Sequence, residues 1–197
     1  ISSSSLMRTN TTIIGVNTAD TEDVESEHTV VVQYRASSGG WKIADLSMVW
    51  YDSSDSRWET NFTPITTAVL GTYDVRIMVN DTDGASTGWT TYSDVITVTN
   101  NNPLFQNYTL SRDSVERTNT TIISVNSTDI EDVESLHTIT IELRSPDGSW
   151  STDDLSAVWY NYNENKWEAN FTPSTTADLG TYDIRIIVND TDSGSSG

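Results

Sequence analysis

The sequence predicts an all-β chain folded as two tandem seven-strand antiparallel β-sandwiches, on three observations. Sliding the chain along itself finds a repeat: "RTNTTIIGVNTADTEDVESEHT" begins at Arg8 and "RTNTTIISVNSTDIEDVESLHT" at Arg117, an offset of 117 − 8 = 109 residues. Residues 1–88 align with 110–197 without a gap, and more than half are identical. Apolar residues alternate with a period of two over short runs, the mark of half-buried strands. Turn-forming clusters such as "SSGG", "SPDG" and "YDSSDS" separate those runs at the spacing of a sandwich.

The elements follow in order. A strand is expected at Thr11–Val16, with Ile14 and Val16 inward. "HTVVVQYR" is ambiguous alone, but its partner "HTITIELR" puts Val30, Val32 and Tyr34 on the core face, since they become Ile139, Ile141 and Leu143 while Val31 becomes Thr140. Strands are expected at Leu46–Tyr51 and at Arg57–Thr63, the latter with Trp58 and Phe62 on one inward face. In "GTYDVRIMVND" alternation buries Tyr73, Val75, Ile77 and Val79 and turns Asp74, Arg76 and Asn80 outward. A last strand lies within Trp89–Thr99, and an edge strand within Leu104–Leu110 completes the unit; "TTAVLG" suits a single turn.

The boundaries are residues 1–100 and 101–197, joined through "NNNPL" at Asn100–Leu104. "NDTDGASTG" at Asn80 is followed by "WTTYSDVITVTN", whereas "NDTDSGSSG" at Asn189 is the last segment of the chain, so the second unit reads as lacking its last strand. Copy one has no equivalent of "NNPLFQNYT", which puts its first strand in question. The chain reads as an interior slice of a longer array, or as a subunit that receives its missing strand from a neighbour. In both cases the expected partners are further copies of the repeat, by strand donation to the open edge of the second unit.

Charge narrows the partners. Acidic residues number 29 against 10 basic ones, a net charge of −19, so nucleic acid and anionic membranes are repelled. No apolar run is long enough to span a bilayer, and with no cysteine there is neither a disulfide framework nor a thiol nucleophile.

"LGTYDVRI" and "LGTYDIRI" resemble the tyrosine corner of immunoglobulin-like and fibronectin type III domains, with Tyr73 and Tyr182 in that place. Together with "TEDVES", a tryptophan after a glycine turn, "W-E-x-N-F-T-P" and "NDTDG", the chain resembles the tandem Ig-like repeats of archaeal and bacterial cell-surface proteins, a group that includes PKD-like and cadherin-like modules. That resemblance implies an Ig-like fold and a place outside the cell, at the cell surface. The cysteine pair of antibody domains and the linker signatures of cadherins are absent.

Three groups of residues carry candidate chemistry. Asp20, Glu22, Asp23 and Glu25, matched by Asp129, Glu131, Asp132 and Glu134, lie between the second and third strands; Asp81 and Asp83, matched by Asp190 and Asp192, lie between the sixth and seventh. In this topology both connections share one end with the loop holding Asp52 and Asp55. A hard dication drawing about 6–8 oxygens relieves the repulsion of such a cluster, which points to Ca²⁺ on Asp20, Glu22, Asp23, Asp81 and Asp83, and on Asp129, Glu131, Asp132, Asp190 and Asp192. The alternative is solvated turns in which aspartates bond their own backbone.

Eight asparagines begin N-x-S/T: Asn10, Asn61, Asn80, Asn107, Asn119, Asn126, Asn170 and Asn189, about twice what random placement gives. Alternation turns Asn61 and Asn80 away from the core, so N-linked glycans are expected. Trp41, Trp50 and Trp58, repeated as Trp150, Trp159 and Trp167, suit either a sugar-binding platform or core packing, and packing is preferred because no disulfide supports either unit.

Catalysis finds little support. His28 and His137 each begin a strand beside a threonine, where a polar strand-edge contact is expected, and Asp20 with Glu22 makes a formal glycosidase pair only on an open loop. The sequence therefore predicts a non-enzymatic extracellular structural protein of tandem Ig-like beads, forming a stalk, sheath, surface layer or filament, glycosylated and stiffened by calcium. The alternative is an adhesin or carbohydrate-binding array, and a third reading is an accessory array attached to a catalytic domain.

Overall fold

The structure, a computed structural model, describes residues 1–196. The chain divides into two compact units, Ile1–Asn100 and Asn101–Gly197. Both are Ig-like β-sandwiches, and no helix among the described residues is long and apolar enough to cross a membrane.

Unit 1 contains β1 (Ser5–Met7), β2 (Thr12–Val16), β3 (Thr29–Ala36), β4 (Trp50–Asp52), β5 (Arg57–Phe62), β6 (Gly71–Asn80) and β7 (Thr90–Thr99). One sheet runs β1-β7-β6-β3 and the other β2-β5-β4. Every pairing is antiparallel except β1 with β7, which is parallel with Ser5 opposite Thr97 and Met7 opposite Thr99. A first strand is thus present in unit 1, short and on the opposite sheet from the first strand of unit 2.

Of the residues that alternation selected, Ile14, Val32, Tyr34, Phe62 and Val75 are each 3 % exposed or less, whereas Ile77 and Val79 are only half-buried against the core; Ile96 and Val98 of β7 complete it at 0 % and 1 %. Each such side chain contributes about 1.5–3 kcal/mol relative to leaving it in water. Tyr34, Phe62 and Tyr73 form an aromatic triangle with centroid separations of 4.9, 5.7 and 6.1 Å. The Tyr73 hydroxyl donates to Val69 O at 2.7 Å and Tyr182 to Asp178 O at 3.0 Å, the tyrosine corner expected from "LGTYD".

Burial, then the Asp45 carboxylate that accepts from its hydroxyl at 2.6 Å, raises the Tyr34 phenol well above the usual range; burial also raises Tyr73. A folded-state pKa above the unfolded value of about 10 means that this contribution to stability is complete below about pH 10 and lost as pH rises through the folded value. The expected result is a melting temperature of unit 1 that falls in strongly alkaline buffer. Phenolate absorbance should show two tyrosines ionising only as that unit unfolds.

The strand expected at Leu46–Tyr51 is broken. Only Trp50–Asp52 is continuous strand, and Leu46 makes an isolated bridge to Phe62. The cause is Ser47, whose Oγ accepts from Asn61 N–H at 2.9 Å in place of a backbone carbonyl, throwing Met48 out to 86 % exposure. Ser156 repeats the device, accepting from Asn170 N–H at 2.9 Å. Alternation also misplaces two polar groups: Asp74 and Glu59 point away from the core yet are buried, Asp74 under Arg35 at 2.9 Å and Glu59 under Arg57 at 2.7 Å.

Unit 2 contains β8 (Leu104–Leu110), β9 (Thr121–Thr128), β10 (Thr138–Arg144), β11 (Trp159–Asn161), β12 (Lys166–Phe171), β13 (Asp183–Asn189) and β14 (Ser195–Ser196). Its sheets run β11-β12-β9-β8 and β10-β13-β14. The core gathers Ile123, Val125, Ile141, Ala169 and Val188. β14 matches the stub at Ser86 in unit 1, which bridges Asn80, rather than β7.

The same letters "GTYD" therefore behave differently in the two copies. Gly71–Tyr73 pair with Ile96–Val98 and belong to β6, whereas Gly180–Tyr182 lie outside β13. Val75 is 1 % exposed, and its counterpart Ile184 is only half-buried.

Candidate functional site

The acidic connections of each unit meet at one end, as the topology requires. Between β2 and β3, Val24 leads into a 3-10 turn at Glu25–Glu27, an element alternation cannot show. Trp58 Nε1–H donates to Glu25 O at 2.9 Å and the Tyr51 hydroxyl reaches Glu25 Oε2 at 3.4 Å, tying this connection to β4 and β5. Asp23 Oδ2 accepts from Thr82 N at 3.1 Å and Thr82 Oγ1 at 2.8 Å, tying it also to the β6–β7 connection. Unit 2 repeats each bond: Trp167 to Glu134 O at 2.9 Å, Tyr160 to Glu134 Oε2 at 3.5 Å, and Thr191 to Asp132 at 3.1 and 2.6 Å. Burial, and then the Glu134 carboxylate, raise the Tyr160 phenol.

The carboxylates of this pole are mostly occupied as acceptors of local N–H groups. Asp20 Oδ1 accepts from Glu22 N at 2.8 Å, the main reason that its pKa lies below the ordinary value. Asp81 Oδ1 accepts from Ala85 N at 2.7 Å, Asp129 Oδ1 from Glu131 N at 2.6 Å, and Asp190 Oδ1 from Asp192 N and Gly194 N at 2.9 and 2.7 Å. Glu22, Asp83 and Asp192 stand on the same connections. Asn101 donates through Nδ2 to Glu131 Oε1 at 2.8 Å, so the acidic loop of unit 2 lies beside the start of that unit.

Among the described residues, the carboxylate set whose oxygens all lie within 4.8 Å of one another is a different one, Asp52, Asp55 and Glu59. A guanidinium already fills it: Arg57 Nη2 lies 3.0 Å from Asp55 and 2.7 Å from Glu59. In unit 2, Lys166 takes that place between Glu164 and Glu168. Built-in cations make this cluster a poor host for a metal.

The histidines depart from expectation. His28 and His137 are not strand-edge contacts but lie buried, 4 % and 2 % exposed. Neither His28 ring nitrogen has a hydrogen-bond partner, and His137 has one only at Nδ1, 2.7 Å from Ser127 Oγ. Each histidine stands two residues before the first inward apolar residue, Val30 or Ile139, so the alternation that buries those residues also turns the imidazole inward.

The tryptophans divide into two uses. Trp58 and Trp167 pack against the cores, with Tyr51 and Tyr160 edge-on at 5.5 and 5.2 Å. Trp41 and Trp150 are not core residues. The guanidiniums of Arg35 and Arg76 stack over Trp41 at 4.4 and 4.5 Å, and Arg76 also covers Trp89 at 4.1 Å; Arg144 and Arg185 cover Trp150 at 4.9 and 4.8 Å. Such stacks contribute about 0.5–1 kcal/mol each where exposed.

No sequon asparagine is buried. Asn10, Asn107, Asn119 and Asn126 are exposed, and Asn61, Asn80, Asn170 and Asn189 half-buried. Asn107 and Asn126 face each other across β8 and β9, joined by a hydrogen bond of 2.9 Å.

No protein-family model matches the chain, and no curated protein matches it. Among solved structures, the chain is similar to the titin domains Z1Z2 solved in complex with telethonin, with 16 % identity, a TM-score of 0.43, and coverage of 98 % of this chain and 86 % of that one.

Proposed function

We propose that the chain is a non-enzymatic structural protein of the cell surface, its tandem Ig-like beads forming a stalk, sheath, surface layer or filament. The observation that supports this most is the repeat itself: two units with separate cores and the same acidic pole, and sequons confined to exposed or half-exposed positions. Similarity to cell-surface repeats of archaea and bacteria, read from the sequence, agrees with it. Sugar and a charge of −19 keep such a surface hydrated. In this reading each pole also takes a cation, with calcium the first candidate.

Intact-mass analysis of native material tests the glycan. A mass above the bare 21.8 kDa of this chain, in increments lost when the asparagines are changed to glutamine, is expected. Because Asn107 and Asn126 contact each other, one glycan is expected across that pair, not two. A bare polypeptide mass would end the reading.

Strand addition supplies the partner. The groove of unit 2 lined by Leu110, Ile123, Leu143, Phe171, Tyr182 and Ile184 matches the place that β7 occupies in unit 1, and we propose that a strand of the β7 type from a further copy of the repeat fills it. The alternative of a sugar-binding array finds its best support in the stacked Trp41 and Trp150, but arginines already cover those rings.

A further inference from the structure

Two counterpart residues differ sharply between the units. Asp74 in β6 and Asp183 in β13 stand 183 − 74 = 109 residues apart, and each accepts from an arginine of the neighbouring strand, Arg35 or Arg144. The Asp74 side chain is 9 % exposed and that of Asp183 56 %. β7 makes the difference. Its register on β6 shifts between Tyr73 and Val75, which puts residues 93–95 opposite Asp74 alone, and within this bulge the Asp94 N–H donates to Asp74 Oδ1 at 3.0 Å. Asp94 has φ 54°, a left-handed conformation that aspartate adopts far more readily than a β-branched residue.

Arg76 and Arg185 form the second such pair. The Arg76 guanidinium has two rings against it, Trp41 at 4.5 Å and Trp89 at 4.1 Å, and Trp89 immediately precedes β7. Arg185 is held by Glu142 at 2.7 Å and stacks on Trp150 at 4.8 Å, and among the described residues no second ring lies over it. Its side chain is 46 % exposed. The groove between the sheets of unit 2 has two backbone edges. In unit 1, β7 runs parallel to β1 on one side and antiparallel to Gly71–Tyr73 on the other, and the counterparts of both, residues 114–116 and 180–182, line the groove.

We propose that unit 2 selects its strand by sequence, taking the pattern W-x-x-x-x-D-x-I-x-V that unit 1 carries from Trp89 to Val98: Arg185 receives the tryptophan, Asp183 the N–H of the bulge aspartate, and the groove the two β-branched residues. This rests on the reading that a strand of the β7 type from a further copy of the repeat fills the groove, and it names the residues that set its register. Backbone pairing alone repeats every two residues, so a slip by two keeps the same faces inward. Such a slip takes the ring off Arg185 and the bulge off Asp183. Main-chain bonds thus supply attachment, while these side chains supply specificity.

The test measures, by fluorescence anisotropy, the affinity of the whole chain for the peptide WTTYSDVITVTN carrying a dye at its last residue. Trp89→Ala in the peptide is expected to weaken binding about threefold or more. On the Arg185→Ala chain that same change is expected to cost nothing further, because the two substitutions remove one contact. Asp94→Val in the peptide is expected to weaken binding about tenfold or more through the strain at its φ, whereas Asp94→Gly, which reaches that φ freely, retains it. Asp183→Ala, a surface change whose effect on folding is checked by melting without peptide, is expected to weaken the parent peptide about threefold or more. A parent peptide that binds while its Trp89→Ala and Asp94→Val forms bind equally well overturns the proposal and leaves strand addition intact. An equal loss from Trp89→Ala on the Arg185→Ala chain also overturns it. Binding of no peptide, with the melting temperature of unit 2 unmoved, ends both.

Discussion

Truncating Phe62 to alanine is expected to cost unit 1 about 3–5 kcal/mol and to leave unit 2 untouched. Phe62 is 0 % exposed and meets Tyr34 and Tyr73 from the opposite sheet, so the missing ring leaves a hole between two layers that strands cannot close. A domain of this size has only about 5–15 kcal/mol in total. Scanning calorimetry of the whole chain should therefore resolve two transitions, one of them lowered by about 12 °C or more. The matching change Phe171→Ala should move the other transition by less, because Phe171 is 7 % exposed and one wall of its pocket, at Tyr182, is half open. A single transition that shifts as a whole in both variants would show that the units do not fold as separate beads.

The second large effect is expected from adding a strand. The peptide WTTYSDVITVTN, the sequence of Trp89–Asn100, should raise the melting temperature of unit 2 in a concentration-dependent way. In unit 1 this segment places Ile96 and Val98, 0 % and 1 % exposed, between the sheets, with Tyr73 opposite Ile96 and Gly71 opposite Val98. Gly180 and Tyr182 offer the same backbone in unit 2, above a cavity of about 590 Å³. Burying two β-branched side chains contributes about 3–6 kcal/mol before the ordering of the peptide is subtracted, so binding in trans is weak and needs excess peptide. Hydrogen exchange should slow at Tyr182 and Ile184. A peptide with Ile96→Asp and Val98→Asp should have no effect; if it stabilises unit 2 equally, strand addition is the wrong account.

The sandwich was legible because the sequence states it twice. Substitutions such as Val30 to Ile139 and Val31 to Thr140 report which face is buried without any structure, and the tyrosine corner follows from five letters. Alternation failed where side chains act in place of backbone. Ser47 stands in for a ladder carbonyl and breaks the Leu46–Tyr51 strand, and Asp74 is buried on an outward face because Arg35 and the Asp94 N–H satisfy it. Trp41 shows the same limit: a large apolar ring reads as core, yet arginines on neighbouring strands give it a place outside.

The pole was legible as a place, less so as chemistry. Loop positions in a sandwich follow from topology, so "TEDVES" and "NDTD" were expected together, and the Asp23–Thr82 bonds join them. Which atoms are already committed to backbone N–H groups depends on turn geometry, which leaves no trace in periodicity, whereas the burial of His28 was readable from its phase with Val30, Val32 and Tyr34.

The parallel pairing of β1 with β7 has a mechanical meaning. β1 lies near the start of unit 1 and β7 near its end, and they run the same way side by side. Tension applied at residues 1 and 100 pulls the two strands in opposite directions along their length. The bonds Thr97 N to Ser4 O and Arg8 N to Thr99 O are then loaded together in shear, rather than opened one at a time as in a zipper. A unit wired in this way resists stretching through a small patch of backbone that must rupture at once.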